Sequence, residues 1–268
     1  MPPRQSFPSH PRVRDAAALG FTSSLGPFAA NGIMPGFHAM AEDYGVSFVA
    51  VQQSLTIYLF TYAFFSLVAG SFSDSYGRRP TFIGGMLLFA AASVGAAFSQ
   101  SLWALYGWRL LQGIGAAVGQ VVTQAIVRDN WSGPEAANVN GMIAFFFAAG
   151  PALAPVVGGQ IVMHFGWHAV FLFLMVYSLS IAFFIYFRIP ETLNAADRSA
   201  FNLSVICSNY AKGLTHGAFM TGVVAHGILF MGGILYSAGS ADFVIKVMGL
   251  DVDEFGWLSI PLIFASFA

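Results

Sequence analysis

An arginine lies inside one of the most apolar stretches of this chain. Arg109 is followed at steps of three and four by Gln112, Ala116, Gln120 and Thr123. Residues at this spacing share one face of an α-helix. An arginine at the centre of a membrane helix costs about 2.5–3.5 kcal/mol unless it meets water, a carboxylate or carbonyl groups. The stripe predicts a helix that lines an aqueous cavity; the alternative is that Arg109 snorkels to the membrane surface.

Other residues in the apolar stretches are candidates for the same cavity. Asn31 precedes Gly32, Pro35 and Gly36, which loosen a helix, and loosened helices tend to line cavities. Two roles are open to the Asn31 amide, contact with a substrate and a hydrogen bond between helices. An apolar, aromatic pocket suits lipophilic compounds. The predicted cavity residues are Asn31, Met34, Tyr58, Tyr62, Arg109, Gln112, Gln120, Phe146 and Phe147.

The stretch 150–159 combines small residues with two prolines. Small residues four positions apart allow helices to approach closely, and the prolines remove backbone donors and bend the helix. We therefore predict a hinge, or a tight contact with a helix from the other half of the protein. Its residues are Gly150, Pro151, Ala154, Pro155, Gly158 and Gly159.

A short basic loop, residues 70–80, separates two apolar stretches with the pattern G-x-x-x-D-x-x-G-R-R-P. Its glycine suits a tight turn, and its proline suits the start of a helix. We expect the arginines to pair with Asp129 and Asp74 to meet a helix end from the second half; the alternative is that these charges only anchor the loop. Exposed pairs contribute about 0–1 kcal/mol, enough to bias a two-state gate. The predicted cytoplasmic gate comprises Gly70, Asp74, Gly77, Arg78, Arg79 and Asp129.

Few groups in the apolar stretches can titrate or bind a metal. His226 is a candidate proton site because histidine titrates near neutral pH, although a lone buried histidine is more often neutral and hydrogen-bonded. No residues with metal-ligand spacing, phosphate-binding loop or catalytic triad are found in the sequence. We predict no metal, no cofactor and no enzymatic activity. The single cysteine, Cys207, allows no intrachain disulfide.

The composition indicates a polytopic all-α membrane protein surrounded by the lipid bilayer. The chain is 57% hydrophobic and 9% charged, whereas soluble domains carry roughly 25% charged residues. A net charge of −1 gives no basis for nucleic-acid binding. Runs of about 20 apolar residues can each cross a bilayer. The predicted spans are 17–39, 48–72, 81–99, 101–127, 135–164, 167–187 and 216–239, followed by the start of an eighth at 255–268.

Apart from Lys246, the basic residues outside the spans fall on one predicted side of the membrane, which places the N-terminus in the cytoplasm. No cleavable signal peptide is found. These residues are Arg4, Arg12, Arg14, Arg78, Arg79, Arg128, Arg188, Arg198 and Lys212.

The spans and the polar break between them predict four segments. They are a cytoplasmic tail (1–16), a six-helix half (17–189), a cytoplasmic linker (190–213) and an incomplete second half (214–268). Spans 1–3 and 4–6 are similar in length and opposite in sense, as in an inverted repeat. Because 255–268 is too short to cross the membrane, we expect the sequence to stop inside helix 8. A seven-helix protein with a re-entrant tail is the weaker alternative, and we expect a monomer.

Four segments resemble the drug/proton antiporter branch of the major facilitator superfamily, especially bacterial multidrug, chloramphenicol and bicyclomycin exporters. They are the basic loop, Arg109 to Gly115, Ala154 to Gly159, and Ile189 to Leu193. The resemblance implies two six-helix halves that work by alternating access. It also implies efflux of lipophilic small molecules across the bacterial inner membrane by ion-coupled antiport, with Arg109 linked to proton coupling and cavity structure.

One departure from this family concerns coupling. Relatives often carry an aspartate just before the Pro-Gly of the first span, where this chain has Asn31, and some carry a carboxylate two turns earlier, at Ser23. Coupling would then use His226, a carboxylate elsewhere or another ion.

Two further functions stay open. One is export of a single metabolite such as a sugar or amino-acid derivative, and Arg109 without a nearby carboxylate favours neutral or anionic cargo. A remote alternative is a seven-helix receptor-like protein, although the seventh span has no lysine for a retinal Schiff base.

Overall fold

A computed structural model of the chain describes residues 13–225 together with 227, 228 and 231. The predictions for His226, for the end of the seventh span, for the start of the eighth and for residues 1–12 lie outside this part. The chain divides into two compact units, residues 1–201 and 202–268. The boundary between them falls within the predicted linker.

Within the described residues the secondary structure is helical, with no strand. Helices α3 to α7 are long and apolar enough to cross a membrane, so the predicted all-α polytopic fold is confirmed. The first unit contains α1 Val13–Asn31, α2 Phe37–Tyr44, α3 Phe48–Tyr76, α4 Arg78–Ala97, α5 Leu102–Asn130, α6 Gly133–Phe165 and α7 Trp167–Arg188. The second unit contains α8 Leu203–Thr215, followed by helical residues at 217–225.

The first predicted span, 17–39, is not one continuous helix. α1 ends at Asn31, a 3-10 turn covers Met34–Gly36, and the short α2 follows. Pro35 has no N–H to donate to the preceding turn, so an α-helix cannot continue through it without losing a hydrogen bond. The Gly32 N–H closes the end of α1 by donating to the Phe28 carbonyl at 2.8 Å.

Helix α5 packs against both α3 and α4, and glycines bring the backbones together on each side. A Cβ on Gly113 would lie 2.7 Å from the carbonyl oxygen of Tyr58 in α3. A Cβ on Gly115 would lie 2.6 Å from the carbonyl oxygen of Gly85 in α4. Only hydrogen fits at these two positions, so the contacts fix the depth at which the polar stripe of α5 lies between its neighbours.

The small residues of α6 face α1 of the same unit. Gly150, Ala154 and Gly158 are buried, and a Cβ on Gly158 would collide with the backbone oxygen of Gly32. The prediction of a partner from the other half is therefore wrong for this stripe. Spacing indicates that a close contact exists but carries no information about which helix makes it.

The prolines of this segment lie on a different side of α6. Pro151 is exposed and Pro155 is half-buried, and α6 continues through both of them from Gly133 to Phe165. A Cβ on Gly159 would make only an ordinary van der Waals contact with Pro35, at 3.9 Å. The hinge role of this segment stays a prediction.

We predict that Gly158→Ala destabilises the protein while Gly141→Ala does not. Both glycines lie in α6, where alanine is the better helix former by about 1 kcal/mol. Gly141 is open to added atoms, whereas at Gly158 the new methyl group meets the backbone of α1. Thermal unfolding in detergent should show a lower Tm for Gly158→Ala and an unchanged or higher Tm for Gly141→Ala. Equal Tm values would show that α1 and α6 can separate at little cost.

Candidate functional site

Arg109 is fully buried where α1, α3 and α5 meet. Its Nη1 donates to the Ala29 carbonyl at 3.2 Å and to Gln112 Oε1 at 2.9 Å. The guanidinium carbon lies 4.3 Å from the centre of the Tyr58 ring, a cation–π contact. The Tyr58 hydroxyl donates to the Gly26 carbonyl at 2.9 Å. Arg109 therefore points into the unit, and the snorkelling alternative is wrong. In the described part of the chain, the predicted aqueous cavity is not seen beside this part of the stripe either, because Arg109, Gln112 and Thr123 have no exposed surface.

The end of α1 supplies part of the stabilisation of this cation. Ala29 is in the last turn of α1, where carbonyls have no intrahelical partner. The C-terminus of a helix also carries about half a negative elementary charge. The break after Asn31 thus places both a free carbonyl and a favourable field beside Arg109.

A chain of hydrogen bonds continues from Arg109 into α4. Gln112 is fully buried, and its Nε2 donates to Ser93 Oγ at 2.7 Å. Ser93 in turn donates to the Phe89 carbonyl at 2.8 Å. Sequence reasoning identified Arg109 and Gln112 but missed Ser93 and the Ala29 carbonyl. A serine and a backbone carbonyl give no sequence signal until the helices are placed next to each other.

The Arg109 guanidinium is only partly satisfied. Its Nε and Nη2 atoms are buried without a hydrogen-bond partner among the described residues. Gln120 Oε1, further along the same stripe, is also buried and unpaired within that part of the chain. Unpaired polar groups are rare in protein interiors and are often found at functional sites. The stripe therefore has unpaired donors at Arg109 and an unpaired acceptor at Gln120, and both could bind a ligand.

The remaining predicted cavity residues do not all join this cluster. Asn31 is half-buried, and its Nδ2 donates to the Pro27 carbonyl at 2.8 Å within α1. This bond is neither of the two roles expected for Asn31. Met34 is 40% exposed, while Tyr62 stacks on Tyr58 with ring centres 6.3 Å apart.

Phe146 and Phe147 of α6 are half-buried. The Phe146 ring lies 4.7 Å from the Phe21 ring and over Gly20 of α1. Phe21 precedes Ala29 by eight residues, about 12 Å along the helix. The structure therefore does not bring Phe146 into contact with Arg109.

The predicted pair between the basic loop and Asp129 is present for Arg78. Arg78 is 5% exposed, and its Nε donates to Asp129 Oδ2 at 2.9 Å. Its Nη1 donates to Ser73 Oγ at 2.6 Å and pairs with Asp74. Gly70, one turn before Asp74 in α3, faces Val121 of α5. Unlike Arg109, Arg78 has carboxylate partners for its charge.

Arg79 does not pair with Asp129, contrary to the prediction. Its Nη2 donates to the Tyr186 carbonyl, and its guanidinium carbon lies 4.7 Å from the centre of the Tyr186 ring. Asp74 was expected to meet a helix end from the second half. In the first unit it pairs with Arg78, and its carbonyl accepts a hydrogen bond from the Ser199 N–H at 3.2 Å.

Glu191 also contacts the basic loop. It lies in the segment 189–193 that carries part of the family resemblance, but its contact with this loop was not predicted. Its carboxylate accepts hydrogen bonds from the backbone N–H groups of Arg78 at 2.9 Å and Arg79 at 3.3 Å. An acidic group at a helix N-terminus satisfies free donors and complements the helix dipole. Gly77 alone separates α3 from α4, and its φ of +100° favours glycine. A Cβ there would also press on Glu191, so the turn and the carboxylate fit together.

We predict opposite stability effects for the same substitution at the two buried arginines. Arg78→Gln leaves Asp74 and Asp129 without their cation and should lower the unfolding free energy by about 1–3 kcal/mol. Arg109→Gln removes a cation that no described carboxylate pairs, so stability should stay the same or rise. Thermal unfolding of both variants in one detergent is the measurement. A loss at Arg109→Gln as large as at Arg78→Gln would show that its charge is fully compensated.

Comparisons with known proteins agree with this fold. The Major Facilitator Superfamily model matches residues 19–268. The chain is 31% identical over 253 residues to the bicyclomycin resistance protein homolog of Haemophilus influenzae, covering 93% of this chain and 64% of that protein. It is 37% identical over 142 residues to a chloramphenicol resistance protein of Pseudomonas aeruginosa, covering 53% and 34%.

A solved structure of the peptide transporter POT in complex with sulfate has a similar fold. Its TM-score is 0.62 at 17% identity, and the match covers 94% of this chain and 50% of the transporter. The chain spans less than two thirds of the length of these relatives. By its sequence and its helical architecture, the chain belongs to the major facilitator superfamily of membrane transporters.

Proposed function

We propose that this chain is part of a bacterial inner-membrane efflux transporter that exports lipophilic small molecules by alternating access, in ion-coupled antiport. Its similarity to bicyclomycin and chloramphenicol resistance proteins supports this proposal. The structural observation that carries it is the buried Arg109. Its Nε and Nη2 have no hydrogen-bond partner among the described residues, and its guanidinium faces the Tyr58 ring, on which Tyr62 stacks. Such a combination of apolar surface with a few fixed polar groups is typical of small-molecule sites.

The charge of this site favours neutral or anionic cargo. The carboxylates of α3 to α7 are Asp74, Asp129 and Glu135, and all three lie near the end of the bundle that carries the basic loop. None of them pairs with Arg109. A cationic drug entering here would meet a positive charge that no described carboxylate pairs, whereas a carbonyl, hydroxyl or carboxylate would accept from the N–H groups of Nε and Nη2.

Proton coupling through the first span is not part of this proposal. Asn31 occupies the position of the helix-1 carboxylate, and an amide does not titrate. Its hydrogen bond to Pro27 also keeps the side chain against its own helix. The group that couples transport to an ion would lie elsewhere in the protein.

The basic loop fits a cytoplasmic gate. Arg78, Asp129 and Glu191 join the start of α4 to the end of α5 and to the chain after α7. The Asp129 side chain is 22% exposed, so water can replace its contact with Arg78 when the gate opens. The proposed orientation places this loop and the N-terminus in the cytoplasm, following the one-sided distribution of arginine and lysine.

We predict that the full-length protein lowers the accumulation of labelled chloramphenicol or bicyclomycin in cells that lack their own exporters. Arg109→Lys should reduce export at least tenfold, because lysine lacks the planar fork that donates in several directions. Arg128→Lys is the matched control, since Arg128 is exposed near the end of the same helix. Unchanged accumulation with neutral, anionic and cationic drugs alike would contradict the proposal. Equal loss of export in both lysine variants would show that the effect is not specific to Arg109 and would contradict its assignment to the substrate site.

The native cysteine tests the proposed orientation. Cys207 is exposed and lies in the segment expected in the cytoplasm, so a membrane-impermeant maleimide should label it only after cells are permeabilised. A variant that combines Cys207→Ser with Gln100→Cys is the control, because the exposed Gln100 lies in the loop between α4 and α5, at the opposite end of α4 from the basic loop. That variant should be labelled in intact cells. The reverse pattern would place the N-terminus outside.

A further inference from the structure

A groove lies between α1 and α7 on the first unit, apart from the Arg109 cluster. It has a volume of about 300 Å³ and is lined by Ala18 and Phe21 of α1 and by Tyr177, Ile181 and Phe184 of α7. These are carbon-rich side chains on two helices of a membrane protein. The groove is open on one side, so a bound molecule could enter it from the surroundings of the bundle.

The polar atoms at the edge of this groove are already hydrogen-bonded. The Tyr177 hydroxyl bonds with Ser24 Oγ at 2.7 Å and donates to the Phe21 carbonyl at 2.9 Å. The Ser180 hydroxyl donates to the Val176 carbonyl at 2.8 Å. Drug sites orient their ligands with a few convergent polar groups. In this groove the hydroxyl groups of Tyr177 and Ser180 already form hydrogen bonds within the protein. Its chemistry suits a plain hydrocarbon chain.

The face of α7 that carries the groove is about as long as one leaflet of a bilayer. Tyr177, Ile181, Phe184 and Arg188 follow each other at steps of four, three and four, and therefore lie on one face of α7. The distance from Tyr177 to Arg188 along the helix is about 16 Å. Half of the hydrocarbon core of a bilayer is about 15 Å. A chain lying along this face would end beside Arg188.

Arg188 adds a charge at the end of this face. It is the last residue of α7, it is exposed, and it forms no ion pair with a described residue. Basic groups between membrane helices at the surface bind the phosphates of anionic lipids. We propose that the groove between α1 and α7 binds one acyl chain of an anionic phospholipid whose phosphate is held by Arg188.

Tryptophan quenching by brominated lipids tests this site in the full-length protein. Phe184→Trp places the reporter in the groove. Phe183→Trp is the matched control, because Phe183 is 67% exposed and does not line the groove. Each variant is placed in phosphatidylcholine vesicles with a minor fraction of either brominated phosphatidylglycerol or brominated phosphatidylcholine. The quenching of the parent protein is subtracted.

We expect the tryptophan at position 184 to be quenched more strongly by brominated phosphatidylglycerol, with no such preference at position 183. Adding Arg188→Gln should reduce the preference about fivefold, since one basic residue near the surface contributes about that much to anionic lipid binding. Adding Ala18→Leu should fill the groove and lower quenching by both lipids. Elution profile and circular dichroism check that each variant is folded, and Ile181→Trp replaces Phe184→Trp if that variant is not.

Three results would overturn the proposal. Equal quenching by the two lipids at position 184 would remove the headgroup preference. A preference that survives Arg188→Gln unchanged would remove Arg188 from the site. Loss of the phosphatidylglycerol signal on addition of chloramphenicol would assign the groove to a lipophilic substrate. None of these measurements depends on transport, so they are independent of the proposed efflux function.

Discussion

A buried positive charge in a medium without water constrains the first unit more than any other feature. Arg109 can stay in the bilayer interior only if carbonyls, aromatic faces or dipoles replace its hydration. The end of α1 provides a carbonyl and a negative field, and Tyr58 provides a ring face. The break in α1 is therefore connected to the charge on α5. If α1 continued as a helix past Asn31, the Ala29 carbonyl would be taken up by its own helix.

Close backbone contacts bring these partners within reach. Gly113 lets α5 lie against α3. Gly158 lets α6 pack against Gly32, which directly follows the last residue of α1. In a membrane there is little hydrophobic driving force between helices, so van der Waals contact of this kind contributes a large share of their association. The glycines thus determine where the carbonyl and the ring lie relative to Arg109.

The sequence was sufficient to predict the helices but not to predict which residues contact each other between helices. Long apolar runs predicted α3 to α7, because a membrane span needs a minimum apolar length. The pair between Arg78 and Asp129 was also predicted, since both residues flank spans on the same side. The small residues of α6 predicted a close helix–helix contact, but they did not predict that α1 is the helix in contact. The contacts of Glu191 and Ser93 were missed, because each residue acquires its role only from a neighbour distant in sequence.

The two buried arginines show how one residue type can serve different purposes in one bundle. Arg78 has two carboxylates and a serine hydroxyl as partners. Its removal would therefore leave these groups without their hydrogen-bond donor. Arg109 keeps two N–H-bearing atoms without a described partner, and its position is held by packing at Tyr58 more than by pairing. A fully paired charge gains nothing by meeting a ligand. A partly paired one does, so we propose Arg109, and not Arg78, as the contact for a substrate.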